Sequence, residues 1–128
     1  MDSFKLIEIF PVSPDLLYKA WLDSITHAEF IGSSADIDPT VNGKFTIWDN
    51  YITGKTIELV PEKRIVQQWR TAEFPADSPD SLLELTFEAI KEGTKLTLIH
   101  KNIPEGQGEE YKKGWKEFYF EPMQEFFS

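Results

Sequence analysis

Hydrophobic and polar residues alternate at the start of the chain. Phe4, Leu6, Glu8 and Phe10 fall on one side, and Lys5, Ile7 and Ile9 on the other. This is the pattern of a strand with partial burial on both faces, ended by Pro11. Ser13-Pro14-Asp15 then predicts a helix start: a hydroxyl cap, proline at the first helical position and an acid in the first turn. Leu16, Leu17, Ala20 and Trp21 continue it at helical spacing. Asp23 or Ser24 caps a second short helix through His27, Phe30 and Ile31, closed by Gly32. From residue 33 the period returns to two. Strands are predicted over 35–38, 44–48, 53–60 and 65–71, with a turn at Asp49-Asn50 and a loop over 74–81 containing Pro75 and Pro79. Leu83, Leu85, Phe87 and Ala89 line one face of the next strand. A hairpin turn at Lys91-Glu92-Gly93 leads to a last strand with Leu96, Leu98 and His100 on one face.

The final segment carries the strongest helical signal. Counting from Tyr111, the offsets 4, 7, 8, 11, 12, 15 and 16 bring Trp115, Phe118, Tyr119, Pro122, Met123, Phe126 and Phe127 onto one stripe. Of the remaining positions only Phe120 is bulky and apolar, so the segment is an amphipathic helix. Pro122 removes a backbone donor and predicts a kink, at a cost of ~3 kcal/mol unless the bend is used. The order strand, two short helices, several strands, long helix gives an α+β class. One domain over residues 1–128 is expected: a curved antiparallel sheet of six to seven strands wrapped around a long C-terminal helix. The gap between sheet and helix would be lined by large side chains.

Composition narrows the function. The 128 residues carry 13 basic and 22 acidic side chains, net −9, which disfavours phosphate-rich nucleic acid and anionic membranes as partners. Ten Phe, four Trp and four Tyr suit a core or cavity built from rings. With no Cys, disulfides, thiolate metal sites and cysteine nucleophiles are excluded. The start has no basic segment followed by an apolar stretch, and no run approaches the ~20 apolar residues of a membrane span. The expectation is a monomeric, soluble, cytoplasmic protein.

Several segments carry a family resemblance. Phe10-Pro11 followed by Leu17-Tyr18-Lys19-Ala20-Trp21, Gly54 before Ile57-Glu58-Leu59-Val60-Pro61-Glu62-Lys63-Arg64-Ile65, Trp69-Arg70, Gly93-Thr94-Lys95-Leu96-Thr97-Leu98-Ile99-His100 and Gly114-Trp115 resemble START-like (SRPBCC) helix-grip domains. Within that superfamily they are most similar to single-domain proteins related to the C-terminal domain of the activator of heat-shock protein 90 ATPase. Phe30 stands nearest to a tryptophan common in the second short helix of such domains, and Pro122 departs from the usual terminal helix. These residues contain no counterpart of the co-chaperone's N-terminal domain. That weakens a claim of ATPase stimulation; what the resemblance implies is the helix-grip fold and a hydrophobic cavity. It implies no single reaction, since the superfamily binds lipids, sterols, polyketides and hormones.

The candidate ligand-cavity residues are Trp48, Trp69, Phe87, His100, Trp115, Phe118 and Tyr119. The tryptophans read equally as pocket lining and as core filling. His100 is a polar contact or general acid/base in the cavity, or else a core histidine bonded to its neighbours. Arg70 is expected to pair with Glu58 or Glu84 at the surface, the other reading being an anchor for a ligand carboxylate. Gly106-Gln107-Gly108 precedes a helix, but Glu105, Glu109 and Glu110 would repel a phosphate there. That segment and the 74–81 loop are read as gates to the cavity. Only His27 and His100 are available as imidazole ligands, without a His-x-x-x-His spacing, so neither a metal nor another cofactor is expected. The leading function is binding of a small hydrophobic or aromatic molecule without established catalysis. The alternatives are a co-chaperone-like module for a heat-shock chaperone and a cavity enzyme using His100.

Overall fold

The computed structural model describes all 128 residues. β1 (Asp2–Phe10) is followed by α1 (Pro14–Leu22) and α2 (Ser24–Ile31). Six strands come next: β2 (Ala35–Ile37), β3 (Lys44–Ile47), β4 (Ile52–Val60), β5 (Arg64–Thr71), β6 (Ser81–Ile90) and β7 (Gly93–Ile103). A helix closes the chain in three parts: α3 (Gly108–Gly114), a π-helical segment (Trp115–Phe120) and α4 (Glu121–Phe127). The seven strands form one antiparallel sheet in the order β1-β7-β6-β5-β4-β3-β2. The α+β class expected from the pattern, an antiparallel sheet closed by a C-terminal helix, is the one observed, and it is the helix-grip fold that the resemblance implies.

Local chemistry fixes the short helices. The Ser13 side chain accepts from Leu16 N–H (3.2 Å) with Pro14 next to it. Asp23 ends α1 and caps α2, its carboxylate accepting from Thr26 N–H (2.9 Å) and Thr26 O–H (2.8 Å). These bonds favour the charged form and hold the Asp23 carboxyl below the usual range. The inner sheet face buries Phe10, Ile65, Leu83, Leu85, Leu96 and Leu98, and the closing helix contributes Met123, also fully buried. β1 departs from expectation. As an edge strand with nothing over its outer face, it buries one side only and leaves Ile7 and Ile9 about half exposed.

Gly54 lies in register between Phe45 and Trp69. A Cβ there would come within 2.5 Å of the Phe45 ring and 1.9 Å of the Gln68 carbonyl oxygen. The missing side chain is what lets Phe45 lie across the sheet.

The closing helix differs from its predicted form around Pro122. Glu121 N–H bonds back five residues to Lys116 C=O, and Pro122 enters the first turn of α4. A π turn carries an extra residue, so the buried face shifts along the sequence. Phe118, on the predicted stripe, is 58% exposed, while Phe120, off it, is 4% exposed.

The expected gates are pinned. Asp2 Oδ2 accepts from the N–H groups of Gly106 and Gly108, both at 2.9 Å, so the glycine turn holds a carboxylate from this chain's own first strand. A Cβ on Gly108 would lie 2.6 Å from that of Asp2, which accounts for the glycine. Arg70 fastens the other loop, donating to Asp80 Oδ1 (2.9 Å), Ser78 O (3.0 Å) and Pro75 O (3.1 Å). It does not reach Glu58 or Glu84. Both of those pair in register with Val66, two residues from Arg64, and Arg64 takes them instead. Asp2→Ala should cost about 1–2 kcal/mol, the scale of a lost N-cap. Amide hydrogen exchange at Gly106 and Gly108 should rise; unchanged protection there would show that the carboxylate does not hold the turn.

Candidate functional site

The interior between sheet and helix is filled by its own rings. Trp21 stacks between Phe30 and Trp115, with centroids at 6.2 and 6.0 Å, and Tyr119 lies 5.2 Å from it. The space bounded by Trp21, His27, Phe45, Gln67 and Tyr119 is about 10 Å³, at the threshold for a single water. The buried polar groups are paired among themselves. Trp21 Nε1 donates to Gln67 Oε1 (3.3 Å), and Gln67 Nε2 donates to Thr56 Oγ1 (3.0 Å). No buried side-chain nitrogen or oxygen lacks a partner.

Both histidines belong to this network, and their partners fix opposite tautomers. An indole N–H only donates, so His100 Nδ1 accepts from Trp115 Nε1 (3.1 Å). His100 Nε2 therefore carries the proton and donates to Ser81 Oγ (2.8 Å), and Ser81 donates to Trp69 O (2.5 Å). A carbonyl only accepts, so His27 Nδ1 donates to Trp21 O (2.8 Å) and Nε2 accepts from Tyr119 O–H (2.9 Å). Burial pushes the His100 imidazole down to about 3 and that of His27 to about 4, and it pushes the Tyr119 hydroxyl up. His100 presents neither a free lone pair nor a free proton to a ligand. It is the core histidine of the two readings. His27, which no sequence signal singled out beyond its place in α2, is the second.

A cavity of about 120 Å³ opens at one end of this aromatic core. Its floor is Trp69, Trp115 and Tyr119. The β3–β4 turn supplies Trp48 and Tyr51, the start of β4 supplies Ile52, and the closing helix supplies Glu110, Tyr111, Gly114 and Phe118. Five of the seven residues selected from sequence meet here: Trp48, Trp69, Trp115, Phe118 and Tyr119. His100 lies behind Trp69 (4.6 Å) and Trp115 (6.0 Å). Phe87 is far along β6, packed on Tyr18 of α1 at 5.8 Å. Neither predicted gate lines the opening. Phe74 is buried against Trp69 and Tyr111.

Backbone strain helps to build the opening. Trp48, Asp49 and Asn50 have φ of 52°, 51° and 72°, the left-handed region that bulky residues avoid. Strand register ends at Ile47, and the turn sends the Trp48 ring over the closing helix, 5.5 Å from Tyr119 and 6.4 Å from Phe118. Ser34 secures the turn: its hydroxyl accepts from Asp49 N–H (2.7 Å) and donates to Asp49 Oδ1 (3.0 Å). Beside the cavity, Tyr51 O–H donates to Glu73 Oε2 (2.5 Å), and Tyr111 O–H donates to Gln107 Oε1 (2.7 Å). Burial, joined by the Glu73 hydrogen bond and charge, pushes the Tyr51 hydroxyl up. No group of three or more His, Asp or Glu side chains is arranged to hold a metal ion.

The missed lining residues had partial signals. Tyr111 was on the stripe, and Gly114 and Glu110 flank it at helical spacing. Tyr51 and Ile52 follow a recognised turn whose left-handed residues hid their direction.

Comparison with known proteins adds kinship to this geometry. The family "Activator of Hsp90 ATPase homolog 1-like protein" matches residues 11–128. The chain belongs to this family. It is 31% identical over 122 residues to the activator of 90 kDa heat shock protein ATPase homolog 1 of Homo sapiens, covering 95% of this chain and 36% of that protein. The domain thus spans about a third of the curated relatives it matches. The crystal structure of an HSP90 activator from Plasmodium falciparum superposes with a TM-score of 0.88 at 29% identity, covering 97% of this chain and 94% of that one. The solution structure of the Aha1 dimer from Colwellia psychrerythraea shares the fold, with a TM-score of 0.77 at 15% identity over 94% of this chain and 92% of that one.

Proposed function

We propose that this domain is a protein-binding module whose partner is a 90 kDa heat-shock chaperone. The observation that carries the reading is its likeness, along nearly its whole length, to proteins named as activators of that chaperone. Two features support it. The core is packed with this chain's own rings, leaving too little space for a lipid or sterol, whose pockets run to roughly 300 Å³ or more. The surface also keeps large apolar groups exposed, among them Phe118, Phe126 and Tyr51, and aromatic side chains of this kind are enriched at protein interfaces.

Titration calorimetry with the purified chaperone tests the reading. Saturable binding, at roughly micromolar affinity or tighter, is expected. Absence of binding at about 100 µM, a concentration that would reveal even a weak complex, would sink it.

A second reading, a small hydrophobic or aromatic ligand, is favoured by the ring-lined cavity. Its volume limits the buried part of such a ligand to about one ring, since a dry cavity of ~150 Å³ accepts benzene. Native mass spectrometry on gently purified protein should then show an added mass that disappears on denaturation. A clean mass at saturating concentrations of single-ring compounds would count against it.

A further inference from the structure

The cavity has a chemical character beyond being apolar. Seven of its ten lining residues are aromatic, and Ile52 is the single aliphatic one. The rings form a corner instead of a stack: the plane of Trp48 stands at 87° to Tyr119 and 78° to Phe118. Rings set at such angles put both faces and edges around the opening, and the faces carry the negative end of the ring quadrupole.

The charge around the cavity has the same sign. Glu110 is its single charged lining residue, no Lys or Arg lines it, and Glu110 takes part in none of the ion pairs of the fold. A second carboxylate, Glu73, is tied to Tyr51 at the rim. Burial raises the Tyr111 hydroxyl, the Thr71 hydrogen bond opposes that, and the charges of Glu73 and Glu110 add to the rise. The whole chain adds a net charge of −9, a field that concentrates cations.

Two backbone departures build the corner. The left-handed Trp48-Asp49-Asn50 turn aims one wall, and the π segment carries Trp115, Phe118 and Tyr119. Left-handed non-glycine residues and π segments both cluster at functional sites, where surrounding structure sustains their cost.

We propose that this aromatic corner is a binding site for a methylated ammonium head group, held by the ring faces with Glu110 as the counter-charge. The head group is compact enough for a cavity of about 120 Å³. It is a weakly hydrated cation, which ring faces favour.

The test uses the domain alone, so its result is separate from the chaperone reading. Choline and its neutral isostere 3,3-dimethylbutan-1-ol are titrated while the four indole N–H resonances are followed by NMR. Choline is expected to saturate with the largest shifts at Trp48 and Trp115, and to bind roughly tenfold tighter than the alcohol, about 1.4 kcal/mol. Glu110→Gln, an exposed change that leaves the fold intact, should weaken choline several-fold and leave the alcohol unaffected. A trimethyl-lysine peptide is the third arm. Tighter binding of the peptide assigns the head group to a protein side chain; tighter binding of choline assigns it to a free small molecule. The proposal is overturned if the alcohol binds as well as choline, if Glu110→Gln weakens both ligands equally, or if neither cation gives a saturable shift by roughly 50 mM, past the millimolar range expected of one such cage.

Discussion

Lowering the pH from 7 to 4.5 is expected to remove on the order of 5 kcal/mol of folding stability, through His27 and His100 alone. Both imidazoles are buried as neutral, fully bonded groups, and their folded values lie at about 4 and about 3. In the unfolded chain each returns to about 6.5. Below that value the unfolded state binds two protons that the folded state refuses. Stability therefore falls with pH, at about 1.4 kcal/mol per unit for each histidine, until the folded values are reached. Glu84 acts lower. Its carboxyl is held below the usual range by hydrogen bonds from Lys101 and Arg64, with burial opposing them, and its contribution is lost only when the unfolded carboxylate begins to protonate. The interval from 6.5 to about 4.5 thus belongs to the histidines.

Denaturant unfolding at several pH values measures this slope directly. Two protons taken up on unfolding near pH 5 are expected, and His100→Gln or His27→Gln should each reduce the number by one. A flat stability between pH 7 and 5 would mean that the imidazoles take up protons in the fold as readily as in the unfolded chain. With total stabilities of ~5–15 kcal/mol, the expected loss is enough to bring a domain of this size close to unfolding.

Most of the fold was legible because its signals are local. Ser13-Pro14-Asp15, the Asp23 cap, the Lys91-Glu92-Gly93 turn and the alternation in β6 and β7 each dictate structure within a few residues. The errors lie where long-range geometry decides. β1 alternates apolar residues on both faces, and only the covering of the sheet on its inner face alone shows that the other meets solvent. Arg70 and Arg64 are chemically equivalent, and register alone gives Glu58 and Glu84 to Arg64. The glycine turn looked like a mobile gate because its partner, Asp2, lies at the other end of the chain.

The site was legible in residue type more than in arrangement. The aromatic side chains around Trp115 announced a ring-lined space, and the ring-lined cavity is there, but small. Its true limit is that Trp21, Phe30 and Tyr119 fill the gap from within. That filling is a packing property that no spacing reveals. His100 shared a face with Leu96 and Leu98, which pointed it inward correctly. Its role turned on Ser81 and Trp115, which come from different elements.

Replacing Phe120 with alanine should destabilise the domain by about 3–5 kcal/mol, and replacing Phe118 should cost about 1 kcal/mol or less. A continuous α-helix predicts the reverse, because Phe118 is on the stripe counted from Tyr111 and Phe120 is not. The π segment decides between them. With Glu121 bonding back to Lys116, the turn holds one residue more than an α turn, and the apolar face after Trp115 is carried by Tyr119, Phe120 and Met123. Phe120 packs edge-on against fully buried Phe10 at 6.0 Å. Its removal leaves a cavity that β1 and α4 cannot collapse without moving. Phe118 leaves no such void, because its ring stands at the mouth of the aromatic corner and already faces water. Its loss should appear in binding at the corner and not in the melting transition. Paired thermal and denaturant unfolding of the two variants measures the difference. Equal costs, or a greater cost at Phe118, would show that the closing helix runs in regular α phase through Trp115–Phe120 and that the corner is assembled differently.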